Sequence, residues 1–182
     1  MIPHDIIKKF YKTDSKSFHI LITHGESVAK KAIEIAKKIS DLNPDLTLIY
    51  EAAILHDIGI FRTNAPGLDC NGNLPYICHG YIGRDIMEQL GYPKHALICE
   101  RHVGTGITTE DIKKNKLPLP VRNMMPETLE EKIICYADKF YSKEPNSLTN
   151  EKSVESIIKE LQQFGNLQVA RFYKLMELLH FA

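Results

Sequence analysis

Residues 46–59 read LTLIYEAAILHDIG, and this stretch decides the fold. Apolar side chains recur in it at helical spacing after the helix-start signal Asn43-Pro44-Asp45, which predicts a buried helix ending near His56-Asp57 and stopped by Gly59. A carboxylate at the end of a buried helix is costly unless a cation compensates its charge, and a divalent metal is one such cation. The alternative is that Asp57 only caps the helix and that His56 is an ordinary core histidine.

Helical spacing of apolar residues continues on both sides of this stretch. It predicts helices at about 20–40, from His79 to Gly91, from Pro93 to His102 and from Leu129 to Phe140, followed by two more divided near Gly165-Asn166. Residues 63–75 are rich in Asn, Gly and Pro, which predicts one long loop. Since no alternating strand of useful length stands out, we expect an all-α, single-domain helical bundle over residues 1–182. Its metal-site core should cover about 20–145 and its C-terminal helices about 150–182.

The composition argues against several classes of protein. The chain has 182 residues with 23 basic and 23 acidic side chains, so no net charge favours nonspecific binding to nucleic acids or anionic lipids. A chain of this length forms a core without disulfides, and its four cysteines, which form no CxxC pair, are expected to be reduced core thiols. No stretch reaches the roughly 18 apolar residues of a membrane span. We expect a cytoplasmic domain with neither a nucleic-acid polymer nor a membrane as partner, whose apolar final helix offers a surface for a homodimer.

Six side chains of metal-ligand type fall at predicted helix ends or inner faces. For example, His24 lies four residues before Val28, and Asp138 lies four residues after Ile134, so both are on or beside apolar faces. Each residue taken singly is more often a core histidine or an edge charge. Histidine and aspartate together are a set that divalent metals bind, which makes the joint pattern informative. The predicted metal ligands are His24, His56, Asp57, His79, His102 and Asp138.

The order of these residues resembles the signature of the HD-domain superfamily of metal-dependent phosphohydrolases. His24, His56-Asp57 and Asp138 match its H…HD…D pattern, and His56-Asp57-Ile58-Gly59 has the form HDIG that recurs there. The resemblance covers about residues 20–145. It implies a helical bundle of the HD-domain type and a hydrolase that acts on a nucleotide or another small phosphorylated metabolite.

The extra histidines His79 and His102 resemble the members of that superfamily with two metals. These include the YqeK-like diadenosine tetraphosphate hydrolases, the HD-GYP cyclic dinucleotide phosphodiesterases and the inositol oxygenases. Residues 103–106, VGTG, lack the adjacent histidine and the Gly-Tyr-Pro of the cyclic dinucleotide enzymes. The pattern is therefore closest to the YqeK-like and uncharacterised two-metal HD proteins.

The resemblance implies a division of the ligands between two metals. One ion would be held by His24, His56, Asp57 and Asp138, and Asp57 would bridge to a second ion held by His79 and His102. A hydroxide bound between two such cations would be the nucleophile, which makes Asp57 the expected catalytic residue. Histidine-rich ligation is compatible with iron, manganese, zinc, nickel or cobalt.

An anionic substrate needs donors besides the metals, and three cationic residues are the expected substrate-binding groups. They are Arg62, Arg101 and Lys139. Two alternatives to the phosphatase or phosphodiesterase stay open at this stage, since ligand spacing does not separate them. One is a diiron oxygenase, and the other is a metal-dependent nucleotide-binding protein without turnover.

Overall fold

The structure is a computed structural model, and it describes residues 1–145 and 147–179. The prediction of an all-α fold is confirmed, because the described part of the chain is mainly helical with one very small sheet. Its α-helices are α1 (Pro3–Ile7), α2 (Lys16–Lys38), α3 (Leu46–Leu55), α4 (His79–Gln89), α5 (Pro93–Arg101), α6 (Thr109–Asn115), α7 (Leu129–Asp138), α8 (Val154–Gln162) and α9 (Asn166–Leu178). Short 3-10 helices cover Ser40–Leu42, Ile58–Arg62, Pro66–Leu68 and Tyr76–Cys78.

Side-chain caps fix where three of the principal helices begin. The side chain of Ser15 accepts a hydrogen bond from the Phe18 backbone N–H at the start of α2, and Asp45 does the same for Leu48 at the start of α3. At α7, the side chains of Thr128 and Glu131 form a reciprocal capping box. These caps satisfy backbone donors that a helix start leaves without partners.

The core lies between α2, α3, α5 and α7. Helix α3 packs against each of the other three, and α4 packs against α5 and against the 3-10 helix Ile58–Arg62. Side chains such as Ile35, Ile49, Ile54 and Ile133 are fully buried. Because the last turn of α3, residues 52–55, is buried, the residues that follow it also lie inside the protein.

The region after α3 differs from its prediction. Gly59 does not stop the helix, since α3 already ends at Leu55 and Gly59 lies within the 3-10 helix that follows. A Cβ atom at Gly59 would lie 2.2 Å from the backbone oxygen of His79. The glycine is therefore required for the close approach of α4, a tertiary contact that local sequence does not reveal.

The predicted loop at 63–75 contains a small antiparallel hairpin. Strand β1 (Asn64–Ala65) pairs with β2 (Cys70–Asn71), with Asn64 opposite Asn71. Two short helices, α1 and α6, were also missing from the prediction, because each is too short to show a helical repeat of apolar residues. The last three residues of the predicted C-terminal helical region lie outside the described residues.

All four cysteines are free and buried, as the sequence predicted. Burial raises the pKa of the Cys135 thiol to about 12, which keeps that thiol protonated and unreactive. Among the described residues, no helix combines the length and the apolar character that a membrane crossing requires.

Candidate metal centre

The helices bring the six predicted ligands to one place in the core. The side chain of His24 comes from the middle of α2, while the others lie at or beside the ends of α3, α4, α5 and α7. All six are buried, and Asp138 is the most exposed of them at 6%. They form two clusters that share Asp57.

The first cluster, called here the four-residue group, consists of His24, His56, Asp57 and Asp138. Its ligand atoms lie within 4.8 Å of one another. Asp138 Oδ1 is 3.0 Å from His24 Nε2 and 3.4 Å from His56 Nε2. Asp57 Oδ2 is 3.1 Å from His56 Nε2 and 3.5 Å from His24 Nε2. Two carboxylate oxygens and two imidazole nitrogens therefore face a common point.

The second cluster, the three-residue group, consists of Asp57, His79 and His102. The other oxygen of Asp57, Oδ1, lies 3.3 Å from His79 Nε2 and 3.4 Å from His102 Nε2. The two histidine Nε2 atoms are 3.1 Å apart. Each oxygen of Asp57 thus belongs to a different group, which is the geometry that a bridging carboxylate requires.

Backbone carbonyl groups orient three of the histidines. Nδ1 of His56, His79 and His102 lies 2.6, 2.6 and 2.8 Å from the carbonyl oxygens of Ala53, Tyr76 and Cys99, respectively. An Nδ1–H that donates to such an oxygen leaves the lone pair on Nε2 of a neutral ring. The Nε2 atoms face the two groups, so His79 and His102 have the tautomer that binds metals, and His56 reaches the same tautomer when its Nε2 proton is released.

Burial favours neutral imidazoles at two of the ligand positions. It lowers the pKa of His79 to about 3 and the pKa of His24 to about 4. At His56 burial also lowers the pKa, but the carboxylates of Asp57 and Asp138 outweigh it and raise the value to about 9. The two anionic carboxylates of the four-residue group therefore favour the binding of a cation between them.

Cations hold the two carboxylates in their charged form. Burial by itself would raise the pKa of Asp57, but His56 and the ammonium of Lys143 lower it well below the ordinary value. Burial would also raise the pKa of Asp138, but the ammonium groups of Lys139 and Lys143 lower it well below the ordinary value. Both side chains are thus available as anionic ligands.

The donor set fits a metal ion. His56 Nε2 and Asp57 Oδ1 are buried, and within the part of the chain that the structure describes they have no hydrogen-bond partner. Buried polar atoms without partners are rare, and a bound ion would satisfy them. The facing Nε2 atoms of His79 and His102 would both be acceptors, so a cation between them would satisfy both.

Lys143 belongs to the site and is missing from the sequence-based prediction. Its Nζ lies 2.8 Å from Asp57 Oδ2 and 3.5 Å from Asp138 Oδ1. The residue follows α7 in a segment without regular structure, where no helical spacing connects it to the ligands. The only signal in the sequence was its closeness to Asp138, five residues earlier.

A cavity of about 250 Å³ adjoins the metal centre at Asp138 and Lys143. It is polar and carries three lysines. Its lining residues are Tyr76, Asp138, Lys139, Tyr141, Ser142, Lys143, Lys152 and Glu160. This cavity is a route by which a small anionic ligand could approach the centre.

The three residues predicted to bind substrate have different surroundings. Lys139 lines this cavity, and its Nζ lies 2.8 Å from Asp138 Oδ2. Arg62 is exposed and lines a different cavity, beside Tyr81. Arg101 is engaged by the carboxylate of Glu131 at 3.0 and 3.1 Å. Neither arginine lines the cavity beside the metal centre, so closeness in sequence to a ligand did not predict their surroundings.

Comparison with known proteins identifies the family. The family model described as HD domain matches residues 4–142. A tRNA (cytidine(56)-2'-O)-methyltransferase of Thermoplasma volcanium is 32% identical over 173 residues, which cover 94% of this chain and 45% of that protein. A protein of the same name from Picrophilus torridus is 37% identical over 125 residues, covering 68% of this chain and 32% of the relative. The chain therefore spans less than half of either methyltransferase.

A third relative is closer to this chain in length. An uncharacterised protein of Methanocaldococcus jannaschii is 38% identical over 121 residues, covering 65% of this chain and 64% of that protein. No solved structure is significantly similar to the chain. The same kind of domain thus occurs within longer proteins and in a protein of about this size.

These relatives correct the predicted activity. The prediction of a metal-dependent phosphohydrolase, whether phosphatase or phosphodiesterase, is wrong, because two of the relatives are named as tRNA methyltransferases. Neither name supports the two alternatives, the diiron oxygenase and the nucleotide-binding protein. The physical reason is that the ligand set specifies a metal site but does not specify the reaction carried out there.

Proposed function

Because this chain belongs to the HD-domain family, we propose that it is a metal-binding HD domain that holds two divalent ions and contributes to the 2'-O-methylation of tRNA. The observation that carries the proposal is the position of Asp57, whose two oxygens face two separate sets of buried histidines. The names of the relatives supply the link to tRNA.

The proposed ions would be bound by the two groups described above. His24, His56, Asp57 and Asp138 would hold one ion, and Asp57, His79 and His102 would hold the other. Imidazole nitrogens and carboxylate oxygens suit iron, manganese, zinc, nickel and cobalt. Bound there, such ions would supply Lewis acidity towards phosphate or hydroxyl oxygens.

The proposed place of the chain in methylation follows from the extent of the match. Methyl transfer to a ribose hydroxyl requires a site for the methyl donor and a site for the RNA. More than half of each named methyltransferase lies outside the region that matches this chain. We assign methyl transfer to that remainder, and the metal centre to the HD domain that accompanies it.

The ligand of the metal centre is proposed to be a small phosphorylated compound and not the RNA chain itself. Lys139, Lys143 and Lys152 line the cavity beside the centre, and ammonium groups are suited to bind phosphate. At about 250 Å³ the cavity suits a small ligand. The equal numbers of basic and acidic residues also argue against a surface that binds a long polyanion.

Two copies of the chain are also proposed to associate through the C-terminal helices. Phe164 is 77% exposed and Leu167 is 64% exposed at the turn between α8 and α9, and Leu178 is exposed near the end of α9. Large exposed apolar side chains on one pair of helices are typical of interaction surfaces. Light scattering on the purified protein tests this directly, and Phe164→Ser should shift a dimer towards monomer.

Elemental analysis and a methylation assay together test the main proposal. We expect about two divalent ions per purified chain, and we expect tRNA methylation by the Thermoplasma volcanium relative to fall when the region matching this chain is deleted. Adding this chain separately should restore part of the activity. Absence of bound metal would contradict the metal centre. Full methylation by the relative that lacks the matching region would contradict only the link to tRNA.

A further inference from the structure

The ammonium group of Lys143 contacts the donor atoms of the four-residue group. Its nearest oxygens are Asp57 Oδ2, at 2.8 Å, and Asp138 Oδ1, at 3.5 Å. These are the same two oxygens that face the histidines of that group. The side chain of Lys143 is 17% exposed, so this contact is made largely away from water.

A lysine and a metal ion on these oxygens would compete with each other. A metal ion lies about 2.0 to 2.2 Å from a carboxylate ligand, so it would be within a few ångströms of an ammonium that touches the same oxygen. At such a distance like charges in a partly buried site repel each other strongly. Binding of either cation at Asp57 Oδ2 therefore weakens binding of the other.

The three-residue group does not have this conflict. Its carboxylate atom is Asp57 Oδ1, which faces His79 and His102, whereas the contacts of Lys143 are with Oδ2 of Asp57 and with Asp138. The two groups therefore share a carboxylate but differ in whether a lysine occupies their ligand atoms.

We propose that Lys143 is a built-in competitor for the metal ion of the four-residue group, and that its side chain moves into the adjoining cavity when that ion binds. The inference rests on the proposed function, since it requires the metal centre. The cavity of about 250 Å³ is lined by Lys143 itself and by Glu160, whose Oε2 accepts from Lys152 Nζ at 2.7 Å and whose carboxylate can receive a second ammonium. A four-carbon side chain in an irregular segment has the freedom for this movement.

The consequence is that the two ions bind with different affinities. The ion of the three-residue group binds without displacing a cation, whereas the ion of the four-residue group must displace Lys143. Before that second ion binds, Lys143 neutralises the carboxylates of Asp57 and Asp138, whose mutual repulsion would otherwise destabilise the fold. If Lys143 instead helped to bind the metal ion, its removal would weaken metal binding.

Lys139 provides a matched control. It is also a lysine beside Asp138, but its Nζ contacts Oδ2, at 2.8 Å, and not the Oδ1 atom that faces the histidines. Removing Lys139 therefore changes the net charge near the site by the same amount without freeing a ligand atom of the four-residue group.

Zinc titration of the chelator-treated full chain, followed by competition with a chromogenic chelator, tests the proposal. Lys143→Met should tighten the weaker of two binding steps at least about tenfold and leave the stronger step unchanged, while Lys139→Met should change either step less than about threefold. In chelator, Lys143→Met should also have a lower melting temperature than the unmodified chain. Its rise in melting temperature on adding zinc should be larger.

Lys143→Gln, which removes the charge but keeps a hydrogen-bond donor, repeats the test if the methionine variant folds poorly. Recovery of folding by zinc in either variant also supports the proposal, and failure to fold in zinc overturns it. Equal or weaker zinc binding in both variants overturns the competition while leaving the metal centre in place. Absence of zinc binding by the unmodified chain overturns both the competition and the proposed function.

Discussion

The four-residue and three-residue groups share Asp57 but are built differently. The four-residue group combines two carboxylates with two imidazoles, and the ammonium of Lys143 lies against its oxygens. The three-residue group has one carboxylate oxygen and two histidines whose Nδ1 atoms are held by backbone carbonyls. In the four-residue group, Lys143 compensates the negative charge of the carboxylates. In the three-residue group, backbone carbonyls orient neutral histidines. Charged ligands are therefore stabilised by a nearby cation, whereas neutral ligands are oriented by hydrogen bonds to the backbone.

The two groups also depend on different helices. Besides the residues that follow α3, the four-residue group needs α2 and α7, while the three-residue group needs the packing of α4 against α5. Substitutions that disturb one pair of helices should therefore affect one ion more than the other.

Replacing the shared carboxylate should have the largest effect. Asp57→Asn keeps the shape of the side chain but removes the anionic ligand from both groups, so we expect metal content after dialysis to fall from about two ions to nearly none. Loss of even an indirect ligand contact costs about 10- to 100-fold in affinity. Elemental analysis measures this, with exposed Asp85→Asn as the control. Retention of one ion would show that Asp57 serves only one group.

Removing a histidine of the three-residue group should separate the two ions. His79→Ala or His102→Ala leaves all four ligands of the other group in place, so we expect each variant to retain close to one ion per chain. Metal counting under the same dialysis conditions is the measurement. Full metal content in both variants would mean that these histidines are ordinary core residues.

A substitution outside the ligands should affect the three-residue group through packing. Gly59→Ala would place a Cβ atom 2.2 Å from the backbone oxygen of His79, which forces the start of α4 away. We expect the free energy of unfolding to fall by about 1–3 kcal/mol and the affinity for one ion to decrease. Gly67→Ala is the control, because nothing lies within 4 Å of its new Cβ. Denaturant unfolding that shows equal stability for the two variants would contradict this account of Gly59.

Acidification should give the most gradual effect. Because the pKa values of His24 and His79 are about 4 and 3 in the folded chain and 6.5 in the unfolded chain, the unfolded state binds more protons below pH 6.5. Each histidine should therefore lower the stability of the chelator-treated protein by about 1.4 kcal/mol per pH unit as pH falls from about 6 towards 4. Denaturant unfolding at several pH values measures the slope, and His79→Gln should reduce it. A stability that rises on acidification in this range would contradict the assignment.

His56 acts in the opposite direction at higher pH. Its folded pKa of about 9 lies above the unfolded value of 6.5, so its contribution is fully present below pH 6.5 and is lost as pH rises towards 9. The stability of the chelator-treated protein should consequently be greatest near pH 6.5. A maximum above pH 8 would show that His56 is neutral in the folded chain.

The sequence was sufficient for the parts of the site that helical periodicity controls. His24 and Asp138 were identified because a polar residue on an apolar helical face is unusual, and His56 and Asp57 because they end a buried helix. The structure brings all of them together with His79 and His102. Their role as metal ligands stays a prediction until metal is measured.

Other parts depended on contacts between distant segments. Lys143 has no helical position that would reveal it, and Gly59 owes its role to the approach of α4. The surroundings of Arg62 and Arg101 also could not be predicted, because closeness in sequence does not fix where a side chain points, and their role in substrate binding stays a prediction. The reaction was mistaken for a related reason, because a metal-ligand set is compatible with several chemistries.

Anomalous X-ray diffraction from crystals of the zinc-loaded chain tests the central claim most directly. We predict two anomalous peaks on opposite sides of the Asp57 carboxylate, one bound by His24, His56 and Asp138 and the other by His79 and His102, each about 2.0 to 2.2 Å from its ligand atoms. A single peak, or peaks bound by residues other than these six, would contradict a two-ion centre that shares Asp57.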